Sequence, residues 1–358
     1  MNRLFWKGKS VLITGNTGFK GSWLTLWLQT LGSKVTGYSL PPPTHPNLFE
    51  LANASNGTTS ITGDVRDLNF LQHVLKENSP EIVFHLAAQT VVQTSYKDPI
   101  DTYSTNIMGT VNLLEAIRRL NRPCIVVVVT SDKCYKNNEW IWGYRENEPM
   151  GGRDPYSSSK GCAELVVSAF QQAYFSANDL EQPRILVGSG RAGNVIGGGD
   201  WTKDQLLADI MRAFLSGQPV RIRNPCAIRP WQFVLEPLDG YLSLAEHLWT
   251  CGQEFAEGWN FGPYDEEIKP VSWIVDHLAG MLGDDMHWEL DKEVHPHEDR
   301  ILKLDIAKAR SRLGWSPKLR LDQALEWVVE WYKAYRAKKD IRELTLAQIA
   351  RYEILVGQ

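Results

Sequence analysis

The sequence lacks the patterns typical of a disulfide-stabilised, zinc-binding or membrane-spanning protein. Its 358 residues contain five cysteines, an odd number at irregular spacing, and no CxxC pair stands among them. No apolar run approaches the ~20 residues that a membrane helix needs, and Trp6, Lys7 and Lys9 stand where a signal peptide needs an apolar core. We therefore expect reduced thiols, no metal site, no membrane association and a cytoplasmic location.

Concentrated charge of one sign is also missing. The 38 Lys and Arg residues against 42 Asp and Glu residues give a net charge of −4, and no basic run resembles a nucleic-acid-binding arm. This balance argues against nucleic acid as a partner, so a few local residues have to hold any anionic ligand. The composition, 43% apolar and 22% charged, is that of an ordinary globular protein.

Short apolar strands alternate with helices through the first half of the chain. The predicted strands lie at residues 10–14, 35–38, 59–61, 82–87, 125–130 and 184–188, and the predicted helices at 20–30, 68–76, 105–119 and 156–175. Continuous apolar strands joined by helices are typical of parallel strands buried on both faces. We predict an α/β fold with a Rossmann-type doubly wound parallel sheet.

A glycine-rich loop at residues 191–200 predicts the start of a smaller, mixed C-terminal lobe that binds substrate. A helix and a short strand at about 232–262 predict a return to the sheet. The predicted domains are therefore a dinucleotide-binding domain of residues 1–188 with 232–262, and a lobe formed by 189–231 with 263–358.

Three glycines at regular spacing follow the first predicted strand. Gly15, Gly18 and Gly21, with Phe19 and Lys20 between them, stand directly before a helix. A GxxGxxG turn in this context lets the main chain approach a pyrophosphate at the positive end of the helix. The motif predicts a dinucleotide-binding site.

The acidic residue that often binds the adenine ribose is absent. It is expected about 20 residues after the glycine turn, near the end of the second strand, yet residues 35–48 contain neither an acid nor an arginine. The residues alone therefore leave NAD and NADP open. Asp64, after the third strand, is a candidate adenine contact, and a helix N-cap ahead of Leu68 is an equal alternative.

Tyr156 and Lys160 stand one helical turn apart, so that the ammonium and the phenol can share a pocket. A nearby positive charge favours the phenolate, which is a base able to take a proton from a sugar hydroxyl. Ser131, Asp132 and Lys133 follow the fifth strand, at the edge of the sheet where ligands bind in doubly wound folds. We predict that these five residues form a catalytic site.

Polar residues of the predicted lobe are candidates for binding a nucleotide diphosphate. Arg191, Arg229 and Arg300 can grip phosphate oxygens with paired hydrogen bonds, and Arg229 lies in the aromatic segment Arg229-Pro230-Trp231-Gln232. Asn194, in the glycine-rich loop, is a further predicted substrate contact.

Together these motifs resemble the extended short-chain dehydrogenase/reductases over nearly the whole chain. The glycine turn, Leu86-Ala87-Ala88-Gln89, Ser131 and the Tyr156/Lys160 pair carry the general resemblance. Longer segments, listed next, resemble the CDP-glucose 4,6-dehydratase family within that superfamily. They are Gly18-Phe19-Lys20-Gly21-Ser22-Trp23-Leu24, Thr130-Ser131-Asp132-Lys133-Cys134-Tyr135, Arg191-Ala192-Gly193-Asn194-Val195-Ile196-Gly197-Gly198-Gly199-Asp200-Trp201 and Arg229-Pro230-Trp231-Gln232.

The resemblance implies NAD as the cofactor, recycled within each turnover, and a nucleotide sugar as the substrate. It implies further cofactor contacts at Val65 and at Leu86, Ala87, Ala88 and Gln89. By role, Tyr156 with Lys160 and Ser131 removes the 4-hydroxyl proton, and Asp132 is the acid that protonates the departing 6-hydroxyl. Lys133 stands where dTDP-glucose relatives have a glutamate base, and a lysine is a base only when it is neutral.

Three other functions fit all or part of the pattern. A 4-epimerase uses the same tyrosine and lysine but does not need Asp132 and Lys133, and a cofactor-sensing protein needs only the glycine turn. A dehydratase acting on a dTDP-, UDP- or GDP-sugar shares every motif, because only the resemblance favours CDP. The superfamily also implies a homodimer or homotetramer, with helices 105–119 and 156–175 at the dimer interface.

Overall fold

The computed structural model describes residues 2–175, 184–283, 288–293 and 299–357. The first part of the chain contains, in order, α1 (Arg3–Trp6), β1 (Ser10–Thr14), α2 (Phe19–Thr30), β2 (Lys34–Ser39), α3 (Leu48–Leu51), β3 (Thr58–Thr62), α4 (Leu68–Asn78), β4 (Ile82–His85), α5 (Val92–Lys97), α6 (Pro99–Tyr103), α7 (Gly109–Leu120), β5 (Cys124–Val129), α8 (Pro155–Ala173) and β6 (Ile185–Ala192). Two short turns of helix add to these, a π-helical turn at Ser104–Met108 and a 3₁₀ turn at Asp132–Cys134.

The second part alternates short strands with longer helices. It contains β7 (Val195–Ile196), α9 (Leu206–Ser216), β8 (Val220–Ile222), β9 (Ile228–Arg229), β10 (Gln232–Phe233), α10 (Leu235–Thr250), β11 (Gly258–Phe261), β12 (Lys269–Pro270), α11 (Val271–Leu282), β13 (Trp288–Leu290), α12 (Leu321–Arg336) and α13 (Ile341–Val356).

In the described part of the chain, seven strands form one parallel sheet in the order β11-β6-β5-β4-β1-β2-β3. The order reverses next to β1, the strand that leads into the glycine turn. Helices α2, α10 and α13 cover one face through a large hydrophobic cluster, and α4, α7 and α8 cover the other. The predicted Rossmann-type doubly wound sheet is thereby confirmed, because every strand pair is parallel and both faces are buried.

The smaller strands pair outside this sheet, β7 with β10 and β8 with β13 in parallel, and β9 with β12 antiparallel. Strand β11 joins the main sheet beside β6, so the chain does return to the sheet after leaving it. The exact domain boundaries stay a prediction, since the cluster that covers α2 and α10 continues into α11 and α12. Within the described ranges, no helix combines the length and apolar character needed to cross a membrane.

Several predicted boundaries are wrong, among them the end of the strand predicted over 82–87, which stops at His85. The helix expected over residues 105–119 begins with the π-helical turn Ser104–Met108, and its α-helical part is α7. Strand β6 continues to Ala192, so Arg191 lies in a buried strand and not in a loop. Pairing with β5 on one side and β11 on the other extends this strand past the glycines at 188 and 190.

Candidate active site

The glycine turn is shaped by close main-chain contacts. Gly15 has φ +77°, and a β-carbon there would lie 2.7 Å from the nitrogen of Ala87. A β-carbon at Gly21 would lie 2.1 Å from the carbonyl oxygen of Gly15. Both distances are too short for a side chain, so glycine is required where α2 begins against the end of β4. The turn leaves Phe19 and Lys20 in the first turn of α2, half-buried.

The side chain of Asn16, which the sequence did not indicate as a site residue, connects the glycine turn to β2. The Asn16 side chain is buried, and its Oδ1 accepts a hydrogen bond from Ser39 Oγ at 2.7 Å. Its Nδ2 has no hydrogen-bond partner among the described residues. Ser39 ends β2, where an acid is usual, so a buried amide donor occupies this corner of the site instead of a carboxylate.

Asp64 does not cap the following helix, and that alternative is wrong. Asp67 is the N-cap of α4 and accepts from the nitrogen of Phe70 at 3.0 Å. The Asp64 carboxylate is paired with Arg66, whose hydrogen bond holds the pKa of Asp64 below its usual value. Its role as an adenine contact stays a prediction, as does that of the neighbouring buried Val65.

The segment after β4 runs beside the glycine turn. The nitrogens of Leu86 and Ala87 donate to the carbonyl and the hydroxyl of Thr14, at 3.0 and 3.3 Å. Asn106, in the π-helical turn, binds both main-chain groups of Gln89, at 2.8 and 2.9 Å. Leu86, Ala87, Ala88 and Gln89 are therefore extended, half-buried and held against the place where a dinucleotide would lie.

Ser131, Asp132 and Lys133 form a tight turn at the end of β5. Ser131 caps the 3₁₀ turn, its hydroxyl accepting from the nitrogen of Lys133 at 3.2 Å and donating to Asp132 Oδ1 at 2.9 Å. Asp132 is buried, and its Oδ2 has no partner among the described residues. Burial raises the pKa of Asp132 against the opposing effects of Lys133, Ser131 and Arg229. A carboxyl group in this position favours its protonated, acidic form.

Helix α8 brings the tyrosine and the lysine to this turn. Asp154 caps the helix, with Pro155 at its first position. A β-carbon at Gly161 would lie 3.0 Å from the carbonyl oxygen of Cys134, so glycine at that position lets the helix lie directly on the 3₁₀ turn. Tyr156 and Lys160 are both buried, and Lys160 Nζ donates to the carbonyl of Val129 at 3.4 Å.

Charged groups around the pair set its electrostatics. Burial raises the pKa of Tyr156, and a hydrogen bond with Ser131 opposes that rise. Burial lowers the pKa of Lys160 to about 7, and the positive charge of Lys20 lowers it further. Lys20 itself has a pKa lowered to about 8 by burial, with Asp132 and Asp200 opposing. The ammonium of Lys160 thus titrates near neutrality, where a small change in its surroundings alters its charge.

Arg191 lies inside the protein, on the α8 side of β6. Its terminal nitrogens donate to Glu164 Oε2 at 2.7 Å, to the Tyr135 hydroxyl at 2.8 Å and to the carbonyl of Glu146 at 2.9 Å. Glu164 also accepts from Thr130 and Ser189. These contacts favour an internal ion pair that fastens the segment after Asp132, while the phosphate-binding role of Arg191 stays a prediction.

The other predicted substrate residues lie on the strands and loops that follow β6. Asn194 is half-buried, and its carbonyl accepts from the nitrogen of Gln232 at 3.0 Å. Arg229 is buried near Asp132 and binds the main-chain carbonyls of residues 228, 299 and 300. Arg300 is exposed. The structure thus brings Arg229 near the turn that holds Asp132, and the substrate contacts of all three residues stay predictions.

Comparison with known proteins places these features in a family. The sequence model described as GDP-mannose 4,6 dehydratase matches residues 12–177. The curated CDP-glucose 4,6-dehydratase of Salmonella typhimurium is 53% identical over 352 residues, which are 98% of each chain.

Solved structures show the same fold. The dTDP-glucose 4,6-dehydratase of Bacillus anthracis in complex with NAD has a TM-score of 0.75 and 22% identity, covering 93% of this chain and 99% of that one. The UDP-glucose 4-epimerase of Thermotoga maritima with UDP-glucose has a TM-score of 0.78 and 23% identity, covering 91% and 99%. The chain therefore belongs to the extended short-chain dehydrogenase/reductases, and within them to the CDP-glucose 4,6-dehydratase family.

Proposed function

We propose that this protein is an NAD-dependent hydro-lyase that converts CDP-D-glucose to CDP-4-dehydro-6-deoxy-D-glucose and water. One observation carries the proposal: the buried carboxyl group of Asp132, one oxygen of which has no hydrogen-bond partner in the described part of the chain, lies in the same turn as Ser131 and near Tyr156. A dehydratase needs such an acid in addition to the tyrosine and the lysine. The 53% identity to a CDP-glucose 4,6-dehydratase supports the nucleotide and the sugar.

The residues around the glycine turn fit a dinucleotide. The main chain at Gly15 and Gly21 is so closely packed that no β-carbon fits, which leaves the N-terminus of α2 open to a pyrophosphate. Within the described segments, Asn16 Nδ2 is a buried donor without a hydrogen-bond partner, as expected of a group that binds a polar ligand. When bound, NAD supplies a hydride acceptor at C4 of the sugar and a hydride donor at C6.

Tyr156 removes the proton of the 4-hydroxyl while C4 is oxidised. The hydroxyl of Ser131 stabilises the phenolate that this step requires through its hydrogen bond with Tyr156, and the ammonium of Lys160, one helical turn away, is proposed to do so by its charge. Oxidation at C4 makes the C5 proton acidic, so a base can remove it.

Asp132 and Lys133 then act at the two ends of the C5–C6 bond. Asp132 donates its proton to the 6-hydroxyl, which leaves as water, and burial raises the pKa of Asp132, which favours the protonated form that an acid needs. Lys133, half-buried and next to Asp132, is the proposed base for the C5 proton. Reduction at C6 returns the hydride, so the reaction has no net redox change and the enzyme is a lyase.

The reaction is tested by incubating the protein with NAD and, separately, with CDP-, dTDP-, UDP- and GDP-glucose. We expect mass spectrometry to detect loss of one water from CDP-glucose alone, with the alkaline absorbance of a 4-keto sugar. Preference for another nucleotide would contradict the CDP assignment, and an unchanged mass with inversion at C4 would identify a 4-epimerase instead.

We also propose a cytoplasmic homodimer. All five cysteines are free thiols. On the outer side of α6, the π-helical turn and α8, three apolar side chains are exposed: Ile100 (81%), Met108 (50%) and Leu165 (60%). Met108 and Leu165 lie in the segments that the family pairs across an interface, and their exposed apolar side chains support a dimer. Sedimentation of the wild type as a monomer at micromolar concentration would overturn this, and Leu165→Glu should produce such a monomer.

A further inference from the structure

Trp23 joins the helix that follows the glycine turn to two segments of the second part of the chain. It lies in α2, one helical turn after Phe19, with 0% of its surface exposed. Its indole nitrogen donates to the carbonyl of Gly198 at 3.0 Å, in the loop after β7. Its ring packs edge-on against Phe233 of β10, with ring centroids 5.9 Å apart at 74°. One side chain of α2 therefore contacts both β10 and the loop after β7.

The loop after β7 also packs closely against other side chains. A β-carbon at Gly197 would lie 2.9 Å from Phe19 Cζ and 2.8 Å from Val234 Cγ1, so the main chain fits between these two residues. Trp331 of α12 covers Gly198 in the same way, because a β-carbon there would overlap its ring. The loop is thus held between α2 and α12. We expect a change in α2 to shift the loop slightly and not to release it.

Strands β7 and β10 hold two candidate substrate residues as one unit. The strands are parallel, and the nitrogen of Gln232 donates to the carbonyl of Asn194 at 3.0 Å, while that of Val234 donates to Ile196 at 2.8 Å. Arg229 stands three residues before Gln232 and is buried. Because these hydrogen bonds join the strands, Asn194 and Arg229 should keep their relative positions if the unit shifts.

The same unit borders the turn that holds Asp132. A β-carbon at Gly193 would lie 3.1 Å from Asp132 Oδ2 and 3.0 Å from the carbonyl oxygen of Pro230. Gly193 therefore lies against both the Asp132 carboxyl group and the segment that leads into β10. Through Trp23, helix α2 contacts a unit that reaches the proposed acid.

We propose that Trp23 is a positioning residue that sets the separation between the sugar and the dinucleotide, an inference that rests on the proposed function. Hydride transfer needs the reacting atoms about 3–3.5 Å apart, and a displacement of about 1 Å can slow it about 10²-fold. The N-terminus of α2 is the proposed pyrophosphate site, and Asn194 and Arg229 are proposed substrate contacts. Loss of the Trp23 hydrogen bond would shift the substrate unit against α2 and leave each binding site intact.

The test compares the wild type with Trp23→Phe, which removes the indole N–H and shortens the side chain. Turnover is measured at saturating NAD with CDP-glucose, or with the nucleotide sugar that the wild type prefers, and NAD binding is measured by titration calorimetry. We expect kcat to fall about 10- to 100-fold. KM for the nucleotide sugar and the affinity for NAD should be unchanged, because both sites keep their own residues.

Trp27→Phe is the matched control. Trp27 lies one turn further along α2 and is also fully buried, and its indole nitrogen donates at the same distance of 3.0 Å, but to Glu353 in α13. Each variant loses one hydrogen bond of a buried indole, so we expect both to unfold at a lower urea concentration than the wild type. Only Trp23→Phe should lose turnover under conditions where circular dichroism shows all the proteins to be folded.

Phe233→Leu tests the same contact from β10, and it decides the question if Trp23→Phe does not fold. The substitution removes the ring that packs on Trp23 and leaves the candidate substrate and cofactor residues unchanged. We expect the same pattern, a lower kcat with unchanged KM and unchanged NAD affinity.

Three results would overturn the inference for Trp23. They are a wild-type kcat in the folded variant, an equal fall in kcat in Trp23→Phe and Trp27→Phe, and a weaker NAD affinity, which would assign Trp23 to the cofactor site. Equal turnover by the wild type and all variants would refute the inference and leave the proposed function standing. A wild type that converts no nucleotide sugar would refute both.

Discussion

Replacement of Glu164 by Gln should destabilise the protein more than any exposed charge substitution. Glu164 and Arg191 form an ion pair at 2.7 Å, with side chains only 5% and 6% exposed. Burial alone would raise the pKa of Glu164, but Arg191, Thr130 and Ser189 together hold it below its usual value. The carboxylate is therefore ionised in the folded protein, and the glutamine variant would leave the buried guanidinium without its counter-charge.

The magnitude follows from the burial of both groups. Removing one partner of a buried ion pair costs about 3–5 kcal/mol, because the remaining charge stays in a medium of low polarity. The matched control is Glu289→Gln. Glu289 pairs with Arg221 at 3.0 Å with side chains 53% and 65% exposed, and breaking such a pair costs about 0–1 kcal/mol.

The assay is urea unfolding of the wild type and the two variants at pH 7, monitored by circular dichroism. Equal slopes of unfolding free energy against urea concentration would show that the three proteins share one unfolding transition. We expect Glu164→Gln to unfold at a clearly lower urea concentration and Glu289→Gln to unfold with the wild type. A loss of less than about 1 kcal/mol for Glu164→Gln would refute the reasoning, since it would mean that the Arg191 charge is solvated or otherwise compensated.

Three further predictions concern catalysis and pH dependence. Asp132→Asn should retain C4 oxidation but slow the release of water about 10²- to 10⁴-fold, the usual contribution of a general acid; normal water loss detected by mass spectrometry would exclude this role. Lys133→Ala should stop exchange of the C5 proton with D₂O, and exchange at the wild-type rate would assign the base to another residue. Burial raises the pKa of Glu236 from 4.5 to about 7, so the folded state keeps a proton that the unfolded state loses. The stability from this group is complete below about pH 4.5 and is lost as the pH rises through about 7, and Glu236→Gln should flatten the slope of unfolding free energy between those values.

The sequence predicts the sheet and its ligand-binding edge because the signals are local. Apolar strands that alternate with helices specify parallel pairing, and the glycine spacing at 15, 18 and 21 is set by contacts within one turn. Tyr156 and Lys160 lie on one helix, so their spacing alone places them together. Ser131, Asp132 and Lys133 are adjacent in the chain, and the end of a buried strand predicts where they lie.

Local sequence patterns do not predict contacts between segments that are far apart in the chain. From the sequence alone, Arg191 is predicted to bind phosphate. In the structure its guanidinium donates a hydrogen bond to Glu164, which is 27 positions away in the chain. Asp67, and not Asp64, caps α4, because the Asp64 carboxylate forms an ion pair with Arg66. The position of the Asn16 side chain in the site is seen only in the structure, where β2 places Ser39 beside it.

Trp23 illustrates the same division. In the sequence it is one apolar position in a helix, and nothing near it in the chain indicates which group its indole nitrogen binds. The packing of β10 and of the loop after β7 on α2 determines that partner. The sequence by itself thus determined the fold class, and it predicted the dinucleotide turn and the candidate catalytic residues. Only the tertiary structure decided which buried polar groups are paired with one another, because pairing depends on distances between elements far apart in the chain.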